Sequence, residues 1–253
     1  MTAGGSVRFA GLSDVGRWRE ANQDHWGAHL DSDSPRSLFM LADGIARSTD
    51  GALAAHLVVA MLPGYVARHL RPEAELAPEA LGRAVVEYCD GFRDYAATDD
   101  RAAGADTTLV AVVVEGLRAL IAHLGDSRAY LFREQAIEQL TRDHSVIQDL
   151  IDAGTVTVEE AAYHPARAVI TRHVAMYPRP LPDTAAIELA PGDRILLSSD
   201  GLHGVIDDET LAQILESHAD PAEACAAMIE AANEAGGPDN ITAVVIDIPR
   251  DDT

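Results

Sequence analysis

The feature that most constrains this chain is a short apolar run that ends in an acidic residue, because the pattern recurs. Residues 38–42 read Leu-Phe-Met-Leu-Ala and lead directly into Asp43-Gly44. Such a run, bounded by turn residues, predicts a buried strand, although periodicity alone does not distinguish it from a helix segment. A strand would present Asp43 at its end, where Gly44 lets the backbone turn tightly. Taken singly, Asp-Gly is typical of an ordinary turn.

Acidic residues stand at the ends of apolar runs in further stretches of the chain. They are Asp200-Gly201 in residues 193–205, Asp239-Asn240 in residues 236–248 and Gly125-Asp126 in residues 119–132. If these strands lie side by side, their carboxylates converge, and mutual repulsion costs several kcal/mol unless cations neutralise it. Carboxylate and carbonyl oxygens suit hard divalent ions such as Mg2+ or Mn2+. The sequence therefore predicts a metal centre at strand ends.

Composition allows a full hydrophobic core and disfavours one class of partner. The chain has 253 residues, of which 47% are hydrophobic and 24% are charged, as in ordinary globular proteins. Its formal net charge of -22 disfavours nucleic acid as a partner, since phosphate backbones need a basic face. The same charge is compatible with divalent cations, although a solvated acidic surface explains most of it.

The cysteines and the N-terminus bear on the cellular compartment. Cys89 and Cys225 lie in helix-like sequence without metal-ligand spacing, so we predict small buried side chains in a reducing compartment. The N-terminal residues have no apolar signal core, and no run is expected to be long enough to span a bilayer. We therefore expect a cytoplasmic protein that binds no membrane.

The order of the predicted elements favours two sheets packed face to face. Strands are predicted at residues 7–14, 25–30, 37–42, 107–114, 118–124, 128–132, 136–139, 185–189, 194–199 and 240–248. Helices are predicted in pairs between these runs, at 51–70 and 78–97 and again at 207–217 and 221–235. Pro63 is expected to kink or end the first helix. Helix pairs between runs of strands favour sheet packed on sheet with the helices outside.

From residue 143 onward the pattern changes. Two short helices are predicted, the second with Thr157 and Glu160 at the spacing of a capping box. Residues 170–184 contain three prolines and predict an irregular segment that could fold over a site. We find no internal repeat or linker. Residues 1–253 are therefore predicted to form one domain, with residues 143–184 as a flap-like segment within it.

These motifs together resemble those of the metal-dependent protein phosphatases, the type 2C Ser/Thr phosphatases, and in particular their compact bacterial members. The matching stretches are SDVGRWREANQD (13–24), LADG (41–44), ADTTLV (105–110), HLGDSRAYLFR (123–133), LTRDHS (140–145), AGTVTVEEA (153–161), HPARAVITR (164–172), GDRILLSSDGL (192–202) and GGPDNIT (236–242). Their order and spacing fit the family almost end to end. The resemblance implies an α+β fold, a four-layer αββα sandwich of two central antiparallel sheets flanked by helix pairs.

The resemblance also implies which residues hold metal ions. Asp43 would bridge two ions, and the carbonyl of Gly44 would bind one of them. Asp200 and Asp239 would complete the ligands of the first ion. Asp126 would hold a third, weaker ion together with Asp200. The implied cofactors are two Mn2+ or Mg2+ ions with this third site beside them.

The implied activity is hydrolysis of phosphoserine and phosphothreonine in proteins. Arg19 would clamp the substrate phosphate, since a guanidinium donates two hydrogen bonds at once. Two metal ions about 3.5–4 Å apart would generate a bridging hydroxide and brace the phosphoryl oxygens. The implied catalytic set is then Arg19, Asp43, Asp200 and Asp239. We expect a monomer whose partners are phosphorylated proteins and a Ser/Thr kinase with its substrates, and not nucleic acid.

The chain departs from the family pattern in three places. Gln23 replaces the carboxylate that precedes Asp24, residues 45–48 replace the usual glycine pair, and residues 173–176 replace an expected Leu-Gly stretch. The first departure bears on affinity for the second metal, and the others bear on loop shape and substrate choice. Asp24 is interpreted as a loop organiser and not a ligand. Since Ile45 cannot donate a proton, leaving-group protonation is expected from metal-bound water.

Alternatives remain at the level of the sequence. A pseudophosphatase that binds phosphoproteins or a partner without turnover would account for Gln23 and the altered loop at 45–48. A regulatory phosphatase for one anti-anti-sigma-like partner would share the same site. Asp126 in a hairpin turn could simply cap its own backbone, and His123 and His144 are interpreted as structural histidines.

Overall fold

Two antiparallel sheets form the centre of the molecule. Across residues 7–30, 34–45, 50–161 and 163–250, which the computed structural model describes, ten strands form two five-stranded sheets. The strands are β1 (Arg8–Asp14), β2 (Asp24–Leu30), β3 (Arg36–Asp43), β4 (Leu109–Glu115), β5 (Arg118–Leu124), β6 (Arg128–Arg133), β7 (Ala136–Gln139), β8 (Asp183–Glu188), β9 (Arg194–Ser198) and β10 (Ile241–Asp247). One sheet has the order β1-β10-β9-β6-β7 and the other β2-β3-β4-β5-β8.

Pairs of helices cover the outer faces of the two sheets. The helices are α1 (Gly51–His69), α2 (Pro78–Ala96), α3 (Val146–Asp152), α4 (Val158–Ala161), α5 (Asp200–His203), α6 (Asp208–Ser217) and α7 (Pro221–Glu234). Helices α1 and α2 pack on the sheet that contains β3, and α6 and α7 pack on the sheet that contains β10. The predicted α+β sandwich of two sheets between helix pairs is confirmed.

The alternation of side chains along β3 explains why this strand is apolar throughout. Leu38 and Met40 belong to the core between the sheet and helices α1 and α2. Phe39 and Leu41 point to the opposite face and belong to the core between the two sheets. Successive residues of a strand alternate between its faces. A strand buried on both faces therefore reads as a continuous apolar run that ends where the carboxylate of Asp43 begins.

Helix α1 differs from its prediction in two respects. It is one helix from Gly51 to His69 and passes through Pro63, which therefore does not end it. Proline removes one helical hydrogen bond, and packing of Leu62 and Val66 into the core on either side of it offsets that loss. The helix is also long and apolar enough to cross a bilayer by length and composition, against the expectation that no run would be. Its packing against β2, β3 and α2 explains its apolar character.

The region from residue 143 to residue 184 contains the short helices α3 and α4. The predicted capping box is present, since Thr157 N–H donates to Glu160 Oε2 at 3.0 Å and Glu160 N–H donates to Thr157 Oγ1 at 3.2 Å. Between α4 and β8 the described residues contain no helix or strand. The short helix α5 begins at Asp200 and is absent from the predicted elements, because the sequence pattern there indicates only a strand that ends before Asp200-Gly201.

Candidate metal centre

Acidic residues from both sheets meet at one end of the sandwich. Asp43 ends β3 and lies directly opposite Asp24, the first residue of β2, in the register of that strand pair. Asp200 follows β9, and Asp239 precedes β10. These two strands are neighbours in the sheet that does not contain β3. The charges of Asp24 and Asp200 are, after burial, the largest causes of the raised pKa of Asp43, so both carboxyls lie close to it. The convergence predicted from the strand ends is therefore present in the structure.

The closeness of these carboxyl groups shows in their protonation equilibria. Burial raises the pKa of Asp43 well above its usual range, and the charges of Asp24 and Asp200 raise it further. Burial also raises the pKa of Asp200 to about 8, with the charges of Asp126 and Asp239 as the next causes. Carboxyl groups that disfavour each other's ionised form in this way are stabilised as anions by a cation among them.

Asp24 belongs to this acid cluster, although the sequence suggested a loop organiser. Its Oδ2 accepts hydrogen bonds from Ser199 Oγ at 2.8 Å and Thr242 Oγ1 at 2.6 Å. Its Oδ1 is buried without a hydrogen-bond partner, and burial raises its pKa to about 6. Asp24 is placed in the cluster by its register opposite Asp43. That register follows from the pairing of β2 with β3 and cannot be read from the local sequence.

The backbone around Asp43 is fixed by the threonines of the stretch 105–110. The Asp43 carbonyl accepts from Thr107 Oγ1 at 2.8 Å and from Thr108 N–H at 2.9 Å. The Asp43 N–H donates to Thr108 Oγ1 at 3.0 Å. Gly44 N–H donates to the carbonyl of Gln23 at 3.2 Å, and a Cβ on Gly44 would lie 2.8 Å from that carbonyl oxygen. The close approach of these two backbone segments therefore requires glycine at position 44.

Arg19 lies against one of the predicted ligands. Its Nη2 donates to Asp239 Oδ2 at 2.6 Å, and this hydrogen bond raises the pKa of Arg19. Asn240 holds the loop that carries Arg19, since its Nδ2 donates to Val15 O at 2.9 Å and its Oδ1 accepts from Gln23 N–H at 2.8 Å. Arg19 is thus positioned at the rim of the acid cluster, with 43% of its side chain exposed.

Asp126 approaches the cluster from the turn after β5. It is buried, and burial raises its pKa to about 6. The charge of Asp143 raises this pKa further, whereas the nearby guanidinium of Arg128 lowers it. Because the charge of Asp126 is also the second cause of the raised pKa of Asp200, the two carboxyls are electrostatic neighbours, as the predicted third site requires.

Of the two stretches that depart from the family pattern in loop sequence, 45–48 and 173–176, the structure describes the second in full. Residues 46–48 lie outside the described residues. The stretch 173–176 is anchored on Asp106, whose Oδ2 contacts His173 Nδ1 and which accepts from Ala175 N–H at 2.9 Å. Val174 N–H donates to the carbonyl of Thr107 at 3.1 Å. The substituted stretch thus joins the irregular segment to the threonines that fix the Asp43 backbone.

A second group of potential metal ligands lies beside the Asp126 turn. Ligand atoms of His123, His144 and Asp183 all lie within 4.8 Å of one another. The two imidazoles stack with their centroids 4.4 Å apart. Burial, followed by the neighbouring His123, lowers the pKa of His144 to about 4. Arg172 Nη1 lies 2.6 Å from Asp183 Oδ1 and 3.1 Å from His144 Nε2, so a guanidinium already neutralises this carboxylate.

The acid cluster, by contrast, fits divalent cations. Within the described part of the chain, no arginine forms an ion pair with Asp24, Asp43 or Asp200. The available donors are all oxygen atoms, and Asp24 Oδ1 still lacks a partner. Oxygen ligands with excess negative charge are what Mg2+ and Mn2+ prefer.

Comparison with known proteins decides the family. A family model described as Protein phosphatase 2C matches residues 17–243. The chain belongs to this family. Serine/threonine protein phosphatase PstP of Mycobacterium tuberculosis is 36% identical over 96% of this chain. Protein phosphatase PhpP of Streptococcus pneumoniae is 32% identical over 95% of this chain and 97% of its own length.

Length and structure complete the comparison with these phosphatase 2C proteins. The chain spans 45% of the length of PstP, which is less than half of that relative. The solved catalytic domain of PstP in complex with two manganese ions superposes with a TM-score of 0.81 at 32% identity. The match covers 96% of this chain and 98% of that domain. The fold of the family is therefore present here almost end to end.

Proposed function

We propose that this chain is a Mn2+- or Mg2+-dependent protein phosphatase that acts on phosphoserine and phosphothreonine. The observation that carries the proposal is the convergence of Asp24, Asp43 and Asp200, with which no guanidinium pairs in the described part of the chain, beside Asp239 and Arg19. The names of the relatives PstP and PhpP, both protein phosphatases, support the same activity.

Each acidic residue has a proposed role toward the metal ions. Asp43 would bind two ions and the Gly44 carbonyl one of them, while Asp200 and Asp239 would complete the ligands of the first ion. Asp126, with Asp200, would hold a third and weaker ion. When bound, the ions would activate water near neutral pH and draw charge from the phosphoryl oxygens. The threonines that fix the Asp43 backbone would keep its carboxylate in place without reorganisation.

Arg19 would orient the substrate. Its guanidinium is held at the rim by Asp239 and has a partly exposed face. A phosphate dianion offers a stronger bidentate partner than one carboxylate oxygen, so Arg19 would turn from Asp239 to the phosphate. Asp239 would then be released toward the metal. Asp24, held by the hydroxyls of Ser199 and Thr242, would keep negative charge beside the site.

The presence of all the proposed metal-binding carboxylates supports an active phosphatase and not a pseudophosphatase that binds without turnover. Gln23 removes one charge at the margin of the cluster, but Asp43, Asp200 and Asp239 all remain. Phosphorylated proteins are the proposed substrates, and a Ser/Thr kinase acting on the same proteins is the proposed counterpart. We further propose a cytoplasmic monomer whose single domain includes residues 143–184 as a flap.

The test is metal removal and restoration on one purified sample. Chelator-treated protein should not hydrolyse an aryl phosphate or a phosphothreonine peptide, and Mn2+ or Mg2+ should restore both reactions. Glu216→Gln, which removes an exposed carboxylate on α6, is a matched control and should behave as the wild type. Activity that survives exhaustive chelation would contradict the metal mechanism. Metal binding without hydrolysis would instead support a pseudophosphatase.

A further inference from the structure

His144 holds the turn that carries Asp126 through two hydrogen bonds to the backbone of the preceding residue, Gly125. His144 N–H donates to the carbonyl of Gly125 at 2.9 Å, and Gly125 N–H donates to His144 Nδ1 at 3.2 Å. Gly125 has a φ of +106°, and a Cβ there would lie 2.7 Å from the Cβ of Thr108. The turn therefore has an unusual backbone conformation that both contacts hold in place.

The hydrogen bonds of the ring assign its tautomer. Because Nδ1 accepts from Gly125 N–H, the proton of the neutral imidazole lies on Nε2. Nε2 lies 3.2 Å from Asp183 Oδ2, which can only accept when ionised. Arg172 Nη1, a donor, lies 3.1 Å from the same Nε2. Asp183 and Arg172 therefore favour opposite tautomers, and Asp183 is the group that keeps Nδ1 free to accept.

We propose that His144 is a positioning residue that directs Asp126 into the acid cluster through its unprotonated Nδ1, and that Asp183 selects the tautomer that makes this possible. The inference rests on the proposed role of Asp126 as a metal ligand. It also gives His144 and Asp183, two of the three potential ligands in the group with His123, a role that requires no metal ion between them. A metal on Nε2 would leave the remaining proton on Nδ1, opposite the N–H of Gly125, where two donors would face each other.

The chain offers a matched pair of variants at this position. In His144→Asn the side-chain oxygen can reach the place of Nδ1, whereas in His144→Gln the amide reaches the place of Nε2. Mn2+ binding is measured by calorimetry, with Asp126→Asn identifying the weaker site. His144→Gln should weaken that site by about five- to tenfold, the effect of one net hydrogen bond. His144→Asn should stay within about twofold of the wild type. Equal losses in both variants, or the reverse order, would overturn the proposal.

A second test uses the half-exposed Asp183, and it remains decisive if a variant at His144 does not fold. In Asp183→Leu only the Arg172 donor faces Nε2, so the ring proton should move to Nδ1 and Mn2+ affinity at the weaker site should fall. Adding Arg172→Met should restore most of that affinity. The 15N chemical shifts of the ring in metal-free protein report the tautomer directly. An unchanged tautomer in Asp183→Leu would overturn the role of Asp183.

The metal role of Asp126 and the positioning role of His144 can fail separately. If Asp126→Asn leaves every Mn2+ affinity unchanged, the proposed metal role of Asp126 is wrong. The amide shift of Gly125 then still decides whether His144 holds the turn, since it should move in His144→Gln and stay in place in His144→Asn. If Asp126→Asn removes the weaker site but the His144 pair shows no difference, the metal role stands and the positioning role is wrong.

Discussion

Aspartates enclosed in this protein fall into two groups that differ in what neutralises them. Asp143 is buried, with its two oxygens 2.8 and 2.7 Å from Nε and Nη2 of Arg128. Asp200 lies at the end of the sandwich among other carboxyls, and burial raises its pKa to about 8. The first site has its cation in Arg128, whereas no arginine among the described residues forms an ion pair with Asp200. Uncompensated burial of this kind destabilises a fold and is typical of functional sites.

The largest expected effect comes from Asp200→Asn. Loss of this charge should lower turnover at saturating Mn2+ by about a thousandfold, the upper range for removing one preorganised group. The same change should raise the melting temperature of chelator-treated protein above about pH 4, because folding the wild type must either protonate Asp200 or bury its charge among other carboxyls, and Asn requires neither. Enzyme assays and thermal scans on the same preparation measure both. Near wild-type turnover would remove Asp200 from the site.

Asp143→Asn should have the opposite effect on stability. It leaves the guanidinium of Arg128, of which 22% of the side chain is exposed, without its anionic partner. Breaking a buried pair in this way costs about 3–5 kcal/mol of unfolding free energy. Denaturant unfolding of the metal-free protein measures the loss. If Asp143→Asn and Asp200→Asn change stability in the same direction, the contrast between the two groups is wrong.

Arg19→Ala should affect substrate binding more than turnover. A clamp that holds the phosphate equally in the ground and transition states contributes uniform binding. The Michaelis constant for a phosphopeptide should therefore rise about tenfold or more, as for a lost charge-assisted hydrogen bond. Steady-state kinetics separates the two constants. A large fall in kcat with an unchanged KM would show that Arg19 acts on the transition state.

The smallest effect is expected for Gln23→Glu, which adds a charge to the unpaired group. The backbone carbonyl of Gln23 accepts from Gly44 N–H at 3.2 Å, which places residue 23 beside a proposed metal ligand. An added carboxylate should lower the Mn2+ concentration for half-maximal activity by a few-fold, within the range of one weakly screened charge. Activity is titrated against Mn2+ for both proteins. Coincident curves would place residue 23 outside the metal shell.

Much of the fold could be predicted from the sequence because its signals are local. Residues 38–42 are apolar enough to indicate a buried strand, and the capping box of Thr157 and Glu160 spans only one helical turn. The order of helix pairs and strands was sufficient to indicate the sandwich. The continuation of α1 through Pro63 was not predictable, because tertiary packing on both sides overrides the local penalty.

In the candidate site, too, some residues could be predicted from local sequence and others only from the tertiary structure. The sequence by itself marked Asp43, Asp200 and Asp239, since each stands beside an apolar run with a turn residue next to it. Only the tertiary structure decided that Asp24 lies opposite Asp43 and accepts from Ser199, which is 175 positions away. Strand register and burial join residues that are distant in the chain. The environment that raises a carboxyl pKa therefore exists only once the two sheets have met.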